Sequence, residues 1–242
     1  MHEFAIALVL AVVCALVVAV IEKFRGLEGL TFAILSCWLL QRRSRIRVSI
    51  SAILKLNSGD RYLLARTTWR PEAFGPLGGV FHFHEAAERD LNALDFSPVS
   101  TPANKRDLRG FIVGARLPGL IRWFKSGRDR ETAEKCLLRE LREELHEAGA
   151  PELIGRLDAL RFRPVRNIYE LPRQVPGQDY LQFRIFEIFE LDSTFTQAST
   201  FVVDALAAAH SNKDLLVATS GEIKKGTRFS LLRLDLRGDF AH

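Results

Sequence analysis

From Phe4 to Ile21 the chain is an uninterrupted run of Phe, Ala, Ile, Leu, Val and Cys, about 18 residues long, close to the roughly 20 that a helix needs to cross a hydrocarbon core. A run with no polar face does not suit a helix on the surface of a globular domain, so a spanning helix is the direct expectation. A cleavable signal peptide would open with positive charge, and the only formally charged side chain before this run is Glu3. A lipoprotein site at Cys14 fails as well, because Val13 stands where a small residue is needed. The segment therefore reads as an uncleaved anchor.

After the polar break Glu22-Lys23-Phe24-Arg25-Gly26, a second apolar run extends from Gly29 to Leu40 and carries Trp38 near its end. It spans only if its helix reaches back toward Phe24, thins the bilayer or leans on its neighbour; a re-entrant or interfacial helix is the alternative. Four arginines, Arg42, Arg43, Arg45 and Arg47, follow at once. By the positive-inside rule they mark the cytoplasmic side. A patch for another acidic partner is the competing use of the same cluster. The expectation is a transmembrane helical hairpin over residues 1–41, with helices at about 4–22 and 26–41 and both termini cytoplasmic.

Charge supports a division at that point. The first 41 residues carry two cations and three anions, a net −1, so the remainder, residues 42–242, carries +6. With 48% hydrophobic residues, a disordered or collagen-like chain is excluded. Cys14, Cys37 and Cys136 are too few and too scattered for a disulfide framework or a zinc knuckle, and read as small apolar fillers.

Within residues 42–242, Ile46 to Leu56 alternates apolar and polar positions, Asn57-Ser58-Gly59-Asp60 supplies turn chemistry, and Tyr62 to Ala65 resumes the extended pattern. A β-hairpin is expected. Trp69-Arg70-Pro71 and Gly75-Pro76-Leu77-Gly78-Gly79 follow as a Gly/Pro-rich loop, whose paired glycines permit positive φ and close approach of backbone to a ligand. Residues 82–126 read as an insertion, with helical spacing from Glu85 to Leu94 and a strand-like run from Gly110 to Leu117. His82 and His84, two apart, read as exposed polar positions.

The most informative stretch runs from Gly127 to Glu147 and ends at Ala148-Gly149-Ala150-Pro151, a helix stop. At about 100° per residue, Ala133, Leu137, Leu138, Leu141, Leu145 and Ala148 share one helix face. Glu140, Glu143, Glu144 and Glu147 form a stripe beside it, with Glu144 at the edge of the buried face, where an unpaired carboxylate is costly. Carboxylates at i, i+3 and i+4 repel one another and are relieved by a hard divalent cation. Glu140, Glu143 and Glu144 are thus candidate ligands for Mg²⁺ or Mn²⁺.

Arg139-Glu140-Leu141-Arg142-Glu143-Glu144, with Glu131 eight positions before Arg139, resembles the Nudix box, G-x5-E-x7-R-E-U-x-E-E-x-G-U with U aliphatic. Lys125 and His146 stand where that motif has glycine, and roughly 45 residues part Gly79 from the helix. The resemblance implies a Nudix-like α/β (α+β) fold, an α/β/α sandwich with a mixed sheet. It also implies Glu140, Glu143 and Glu144 as metal ligands and Arg139 as their orienting partner, so that Arg139, Glu140, Glu143, Glu144 and Glu131 would be the catalytic set of an active enzyme. Gly78, Gly79, Trp69, Arg70, Arg161 and Arg163 are candidate nucleotide contacts. Glu222, in a late strand and turn similar to those of Nudix domains, is a further candidate for chemistry.

Two apolar segments, an arginine-rich joint and a Nudix-like domain with a long insertion together resemble the SMODS-associated Nudix effectors of bacterial cyclic-oligonucleotide antiphage systems (CBASS). The resemblance implies a multi-pass protein of the bacterial inner membrane with a cytoplasmic Nudix-like domain. A cyclic di- or trinucleotide would bind there, and the transmembrane part would act on the lipid bilayer, with homo-oligomers forming on activation. Duplex nucleic acid is not an expected partner. A membrane-tethered, metal-dependent Nudix pyrophosphohydrolase acting on a nucleotide is the alternative, and a scaffold that recruits a partner to the bilayer a third.

Overall fold

The computed structural model describes residues 30–67, 70–99 and 106–225. The expected first span at about 4–22, Cys14 and Trp69 lie outside these residues, as does the side chain of Arg70.

The second apolar run forms α1, Leu30–Leu39, ten residues long. At 1.5 Å per residue it covers about 15 Å, half of a hydrocarbon core. Among the described residues no helix is long and apolar enough to cross a membrane. The expected helix at 26–41 is therefore shorter where it is described, and it packs on the domain. Cys37 is fully buried, Ile34 joins the core, and Leu35, Leu39 and Leu40 are exposed. Gly114 lies so close to α1 that a Cβ there would strike the carbonyl oxygen of Gln41.

The domain is built on β1 (Arg45–Lys55), the strand the Ile46–Leu56 alternation predicts. Along one edge it pairs in parallel with β8 (Leu181–Leu191), from Ile46↔Leu181 to Lys55↔Glu190. Two strands share its other edge in succession. β6 (Arg109–Val113) takes Arg45 to Ser49, and β4 (Arg70–Val80) takes Ser51 to Leu54. The sheet is mixed, and helices pack against it, as a Nudix-like α/β fold requires.

Three expectations are corrected here. The turn at residues 57–60 closes a small hairpin between β2 (Asn57–Ser58) and β3 (Arg61–Thr67), whereas the long partners of β3 are β4 and β9 (Leu215–Thr219). The Gly75–Gly79 segment is strand, not loop. Its glycines stand where neighbouring elements come too close for a side chain: Gly78 has φ +120, and a Cβ on it would collide with the Ala52 carbonyl oxygen. The third correction concerns residues 82–126, which hold the short helix α2 (Glu88–Ala93), β5 (Ser97–Pro98), β6 and α3 (Leu117–Ser126). β6 ends at Val113, since Pro118 sits in the first turn of α3 and the chain has already turned helical by then.

The remaining elements are α4 (Ala133–Glu147), α5 (Pro151–Ile154), β7 (Phe162–Gln174), α6 (Thr196–Ala208) and α7 (Ser220–Lys225). Ile46, Val48, Ile50 and Ala52 of β1, Phe183 and Ile185 of β8, and Leu137, Leu141 and Leu145 of α4 share one apolar cluster with Phe81, Phe124 and Phe201. Burying each such side chain contributes roughly 1.5–3 kcal/mol. The β8 pattern changes phase after Ile185, and Ile188 and Leu191 are the next buried positions.

Replacing Gly78 with Ala forces both a left-handed backbone and a collision with β1. The domain should lose about 2 kcal/mol or more, read as a melting temperature roughly 4–8 °C lower; an unchanged melt would mean that β4 does not lie this close to β1.

Candidate functional site

Helix α4 begins and ends where its sequence dictates. Thr132 is extended (φ −73, ψ 161) and its hydroxyl accepts the Lys135 N–H at 3.3 Å, capping the first turn. At the other end Gly149 takes φ +67, the Ala150 N–H reaches back to the Leu145 carbonyl at 2.9 Å, and Pro151 opens the next helix. His146, in the position of the motif's glycine, is exposed and simply continues the helix.

The long gap between Gly79 and this helix closes in space. The insertion leaves at His82–His84 and returns at Asp129–Glu131, and the two ends are stitched together. The His84 N–H donates to the Asp129 carbonyl at 2.8 Å, the Glu131 N–H to the His82 carbonyl at 3.0 Å, and Phe83 bridges Arg130. Arg130 fixes the returning strand by stacking over Phe124 (4.1 Å) and Phe81 (5.0 Å) and by donating to the carbonyls of Phe124 and Glu131, each at 2.9 Å. The glycine strand therefore meets the acidic helix as the motif requires.

Glu131, only 7% exposed, sits at the centre of this junction. Its Oε1 accepts the His82 backbone N–H at 2.6 Å and an Arg139 guanidinium N–H at 2.7 Å, and its Oε2 accepts Arg139 Nε–H at 3.3 Å. Arg139 also donates to the Val80 carbonyl at 2.9 Å and to Glu140 Oε1 at 2.7 Å, and stands 3.7 Å from Glu143. His82 Nε2 pairs with Asp107 at 2.9 Å. The Asp107 hydrogen bond raises the His82 pKa, against the opposing effect of burial. Nothing in the sequence marks Asp107, because it comes from the insertion with no motif around it. The sequence likewise gives no sign that His82 carries an ion pair, although His84 is exposed as expected.

The glutamate stripe is divided by its surroundings. Glu140 is pressed against Gly79, where any Cβ would overlap its carboxylate. Glu144 accepts the Gly78 N–H at 3.0 Å. Glu143 is more than half exposed. Burial raises the pKa of Glu140 against the opposing charge of Arg139, and raises that of Glu144 well above the ordinary carboxylate value, against the Gly78 hydrogen bond. The three carboxylates are the right donor type for Mg²⁺ or Mn²⁺. Their placement does not fit such an ion, since Glu140 is turned to Arg139 and Glu144 to Gly78. Among the described residues no group of three or more His, Cys, Asp or Glu converges on a metal position.

Other candidates lie elsewhere. Arg161 donates to the carbonyls of Leu160 and Asp158, and Arg163 of edge strand β7 pairs with Glu190 of β8, so the head groups of both are held by partners away from the acidic helix. Glu222 accepts the Thr219 backbone N–H and hydroxyl, each at 2.8 Å, in a capping box that starts α7. Cys136 is buried against the Gly79 carbonyl and its thiol pKa is pushed up by burial, which suits a filler rather than a nucleophile.

The raised Glu144 value has a definite sign. The folded protein holds that proton more tightly than the unfolded chain, so stability falls as pH rises above about 4.5 toward the folded-state value. In metal-free protein Glu144→Gln should raise the melting temperature at pH 7–8 and leave it nearly unchanged at pH 4. Thermal melts of both proteins across this range test it, and an equal shift at both ends would refute the assignment.

A profile of the SMODS-associated NUDIX domain matches residues 45–231, from the first residue of β1 through α7 and including the whole insertion. No curated protein matches the chain. Because the match takes in the glycine strand, Glu131, Arg139 and the glutamates of α4 in one continuous domain covering well over half of the sequence, the chain belongs to the SMODS-associated NUDIX domain family.

Proposed function

We propose that this protein is a membrane-anchored effector of a CBASS antiphage system, in which the Nudix-like domain binds a cyclic di- or trinucleotide and the apolar amino-terminal segment then disrupts the bacterial inner membrane. The observation that carries this reading is the family match at residues 45–231 in one chain with the apolar run Phe4–Ile21. A domain associated with nucleotide second-messenger synthases, tethered to a bilayer, suits a sensor whose output is the membrane.

Binding is favoured over turnover on two grounds. Cyclic oligonucleotides are joined by phosphodiesters and contain no pyrophosphate, the bond that Nudix chemistry cleaves. Glu140 and Glu144 are also committed to Arg139 and Gly78, so a cation would first have to draw them away from protein partners. A route from domain to membrane is supplied by α1, which packs on α3, on the short turn at Gly114–Arg116 and on β7, and leads through Gln41–Ser44 into β1. The Ala115 and Gly114 N–H groups hold that linker by donating to the carbonyls of Arg42 and Ser44. On this reading a shift of β1 or β7 reaches the anchor directly, and homo-oligomers form on activation. A tethered Nudix pyrophosphohydrolase using Mg²⁺ or Mn²⁺ is the second reading, favoured by the intact Arg139-Glu140 and Glu143-Glu144 pairs.

The full-length chain in lipid nanodiscs should bind at least one cyclic di- or trinucleotide, and vesicles holding it should leak dye when that ligand is added. Glu143→Gln combined with Glu144→Gln should leave both responses in place. Absence of both binding and leakage overturns the effector reading. Magnesium-dependent release of mononucleotides, abolished by the same double substitution, would establish the hydrolase instead.

A further inference from the structure

The face of the sheet opposite α4 carries a set of charges that neither the Nudix box nor the family's motif accounts for. Side chains alternate across a strand, so Arg45, Arg47 and Ser49 point away from the apolar cluster that holds Ile46, Val48 and Ile50. The pairing registers then define two rows across β6, β1, β8 and β7. One row is Arg109, Ser49, Arg184 and Glu170; the next is Phe111, Arg47, Gln182 and Arg173. A β-bulge between Glu170 and Arg173 keeps Arg173 on this face opposite Gln182.

Four guanidinium groups, from Arg47, Arg109, Arg173 and Arg184, are thus gathered on four adjacent strands, and Glu170 is the one carboxylate in the two rows. It is shared, lying 3.4 Å from Arg184 and 3.8 Å from Arg173. Arg184 is partly buried, and its pKa is lowered by that burial and by the charges of Arg173, Arg47 and Arg109, against the pull of Glu170. Like charges held together in a partly desolvated site are unfavourable without a counter-anion. The rim of the patch is aromatic: Phe111 and Tyr180 meet edge to face at 5.3 Å, and Arg45 lies over the Phe111 ring at 3.9 Å. One row further along this face, at Ser51 and Phe186, the chemistry turns apolar, and Ile168 and Phe186 pack with Ile223 of α7.

We propose that this arginine face, spanning β6, β1, β8 and β7, is a binding site for a diffusible ligand carrying two or more phosphate anions. Planar guanidinium groups on a rigid sheet present paired donors to phosphate oxygens, and their spacing over four strands suits several phosphates rather than one. Each row spans four strands at about 4.8 Å apart, so the patch is about 14 Å wide, the scale of a small oligonucleotide. The proposal deepens the effector reading and rests on it for the ligand's identity: the cyclic oligonucleotide would sit here, with its phosphates on the arginines, and not in the cleft beside α4. Occupation would also act on β1, which leads back to α1 through Gln41–Ser44.

Binding of cyclic di-AMP, cyclic tri-AMP and tripolyphosphate to the full-length chain in phosphatidylcholine nanodiscs tests the site. The wild type should bind tripolyphosphate and at least one cyclic probe, and Arg47→Gln with Arg184→Gln should weaken both by at least about tenfold. Glu170→Gln removes the competing carboxylate and should tighten both by about threefold, a gain that a misfolded protein does not produce. If a cyclic probe binds equally well to the double variant, the ligand site is elsewhere and the effector reading survives without this inference. If tripolyphosphate behaves as expected while no cyclic probe binds, the arginine face stands and the effector reading falls. If no probe binds, both fall. If phosphatidylglycerol in the nanodisc abolishes binding of every probe, the face belongs to lipid headgroups and the proposal of a diffusible ligand is overturned.

Discussion

The ion pair between Glu131 and Arg139 is the interaction on which the rest of the domain's organisation depends. It joins three separate parts of the chain: the end of β4 through the Val80 carbonyl, the start of the insertion through the His82 N–H, and α4 through Arg139 itself. Removing two charges from water is costly, and the cost is offset only where the remaining donors and acceptors are also satisfied. Here Glu131 accepts from both His82 and Arg139, while Arg139 also finds Glu140 and the Val80 carbonyl. Loss of either partner would strand a buried charge and cost on the order of 3–5 kcal/mol. The Nudix-like spacing of Glu131 and Arg139 thus has a structural use in a chain that carries Lys125 and His146 at the motif's glycine positions. The pair is structural before it is anything else.

How much of this was legible in the sequence depended on the range of the interaction involved. Helix α4 and its stop follow from local periodicity and from Gly149 and Pro151. The placement of Glu144 at the edge of the buried face follows from the same wheel. The Gly75–Gly79 pattern points to a loop because glycine and proline are rare in strands. They are admitted there by partners distant in sequence, Ala52 behind Gly78 and the Glu140 carboxylate on Gly79, which no window of residues can reveal. The sharing of one edge of β1 between β6 and β4 was hidden for the same reason. So was Asp107, whose role exists only because the insertion returns to its starting point.

The apolar amino-terminal region shows where composition stops being informative. Hydropathy alone does not separate a short span from a helix packed on protein, since both are rich in Leu, Phe and Ile. The contacts of Leu30–Leu39 with α3, with the turn at Gly114 and with β7 are long-range facts that hydropathy does not carry. The arginines that follow have two uses. Arg42 and Arg43 are exposed in the turn after α1. Arg45 and Arg47 have already entered β1, where strand alternation directs them to the sheet face and into the patch for an acidic partner that the sequence left open.

Charge is therefore segregated across the sheet. On one side, α4 carries Glu140, Glu143, Glu144 and Glu147, with Glu140 and Glu144 packed against the glycines of β4. On the other, Arg47, Arg109, Arg173 and Arg184 outnumber a single Glu170. A ligand made of phosphodiesters is repelled by the first side unless a cation intervenes, and attracted by the second without one. In a hydrolase, the phosphates must lie beside the glutamates, because the cation that activates water also has to grip the scissile group. In a sensor, the two need not coincide, and separating them leaves the glutamates free to serve the Arg139 junction while recognition proceeds on a different surface. The strand common to both sides is β1, and α1 is joined to it through the five residues Leu40–Ser44. On the proposed reading, a messenger held on the arginine face is coupled to α1 and the apolar segment before it by a short covalent path, without passing through the acidic helix at all.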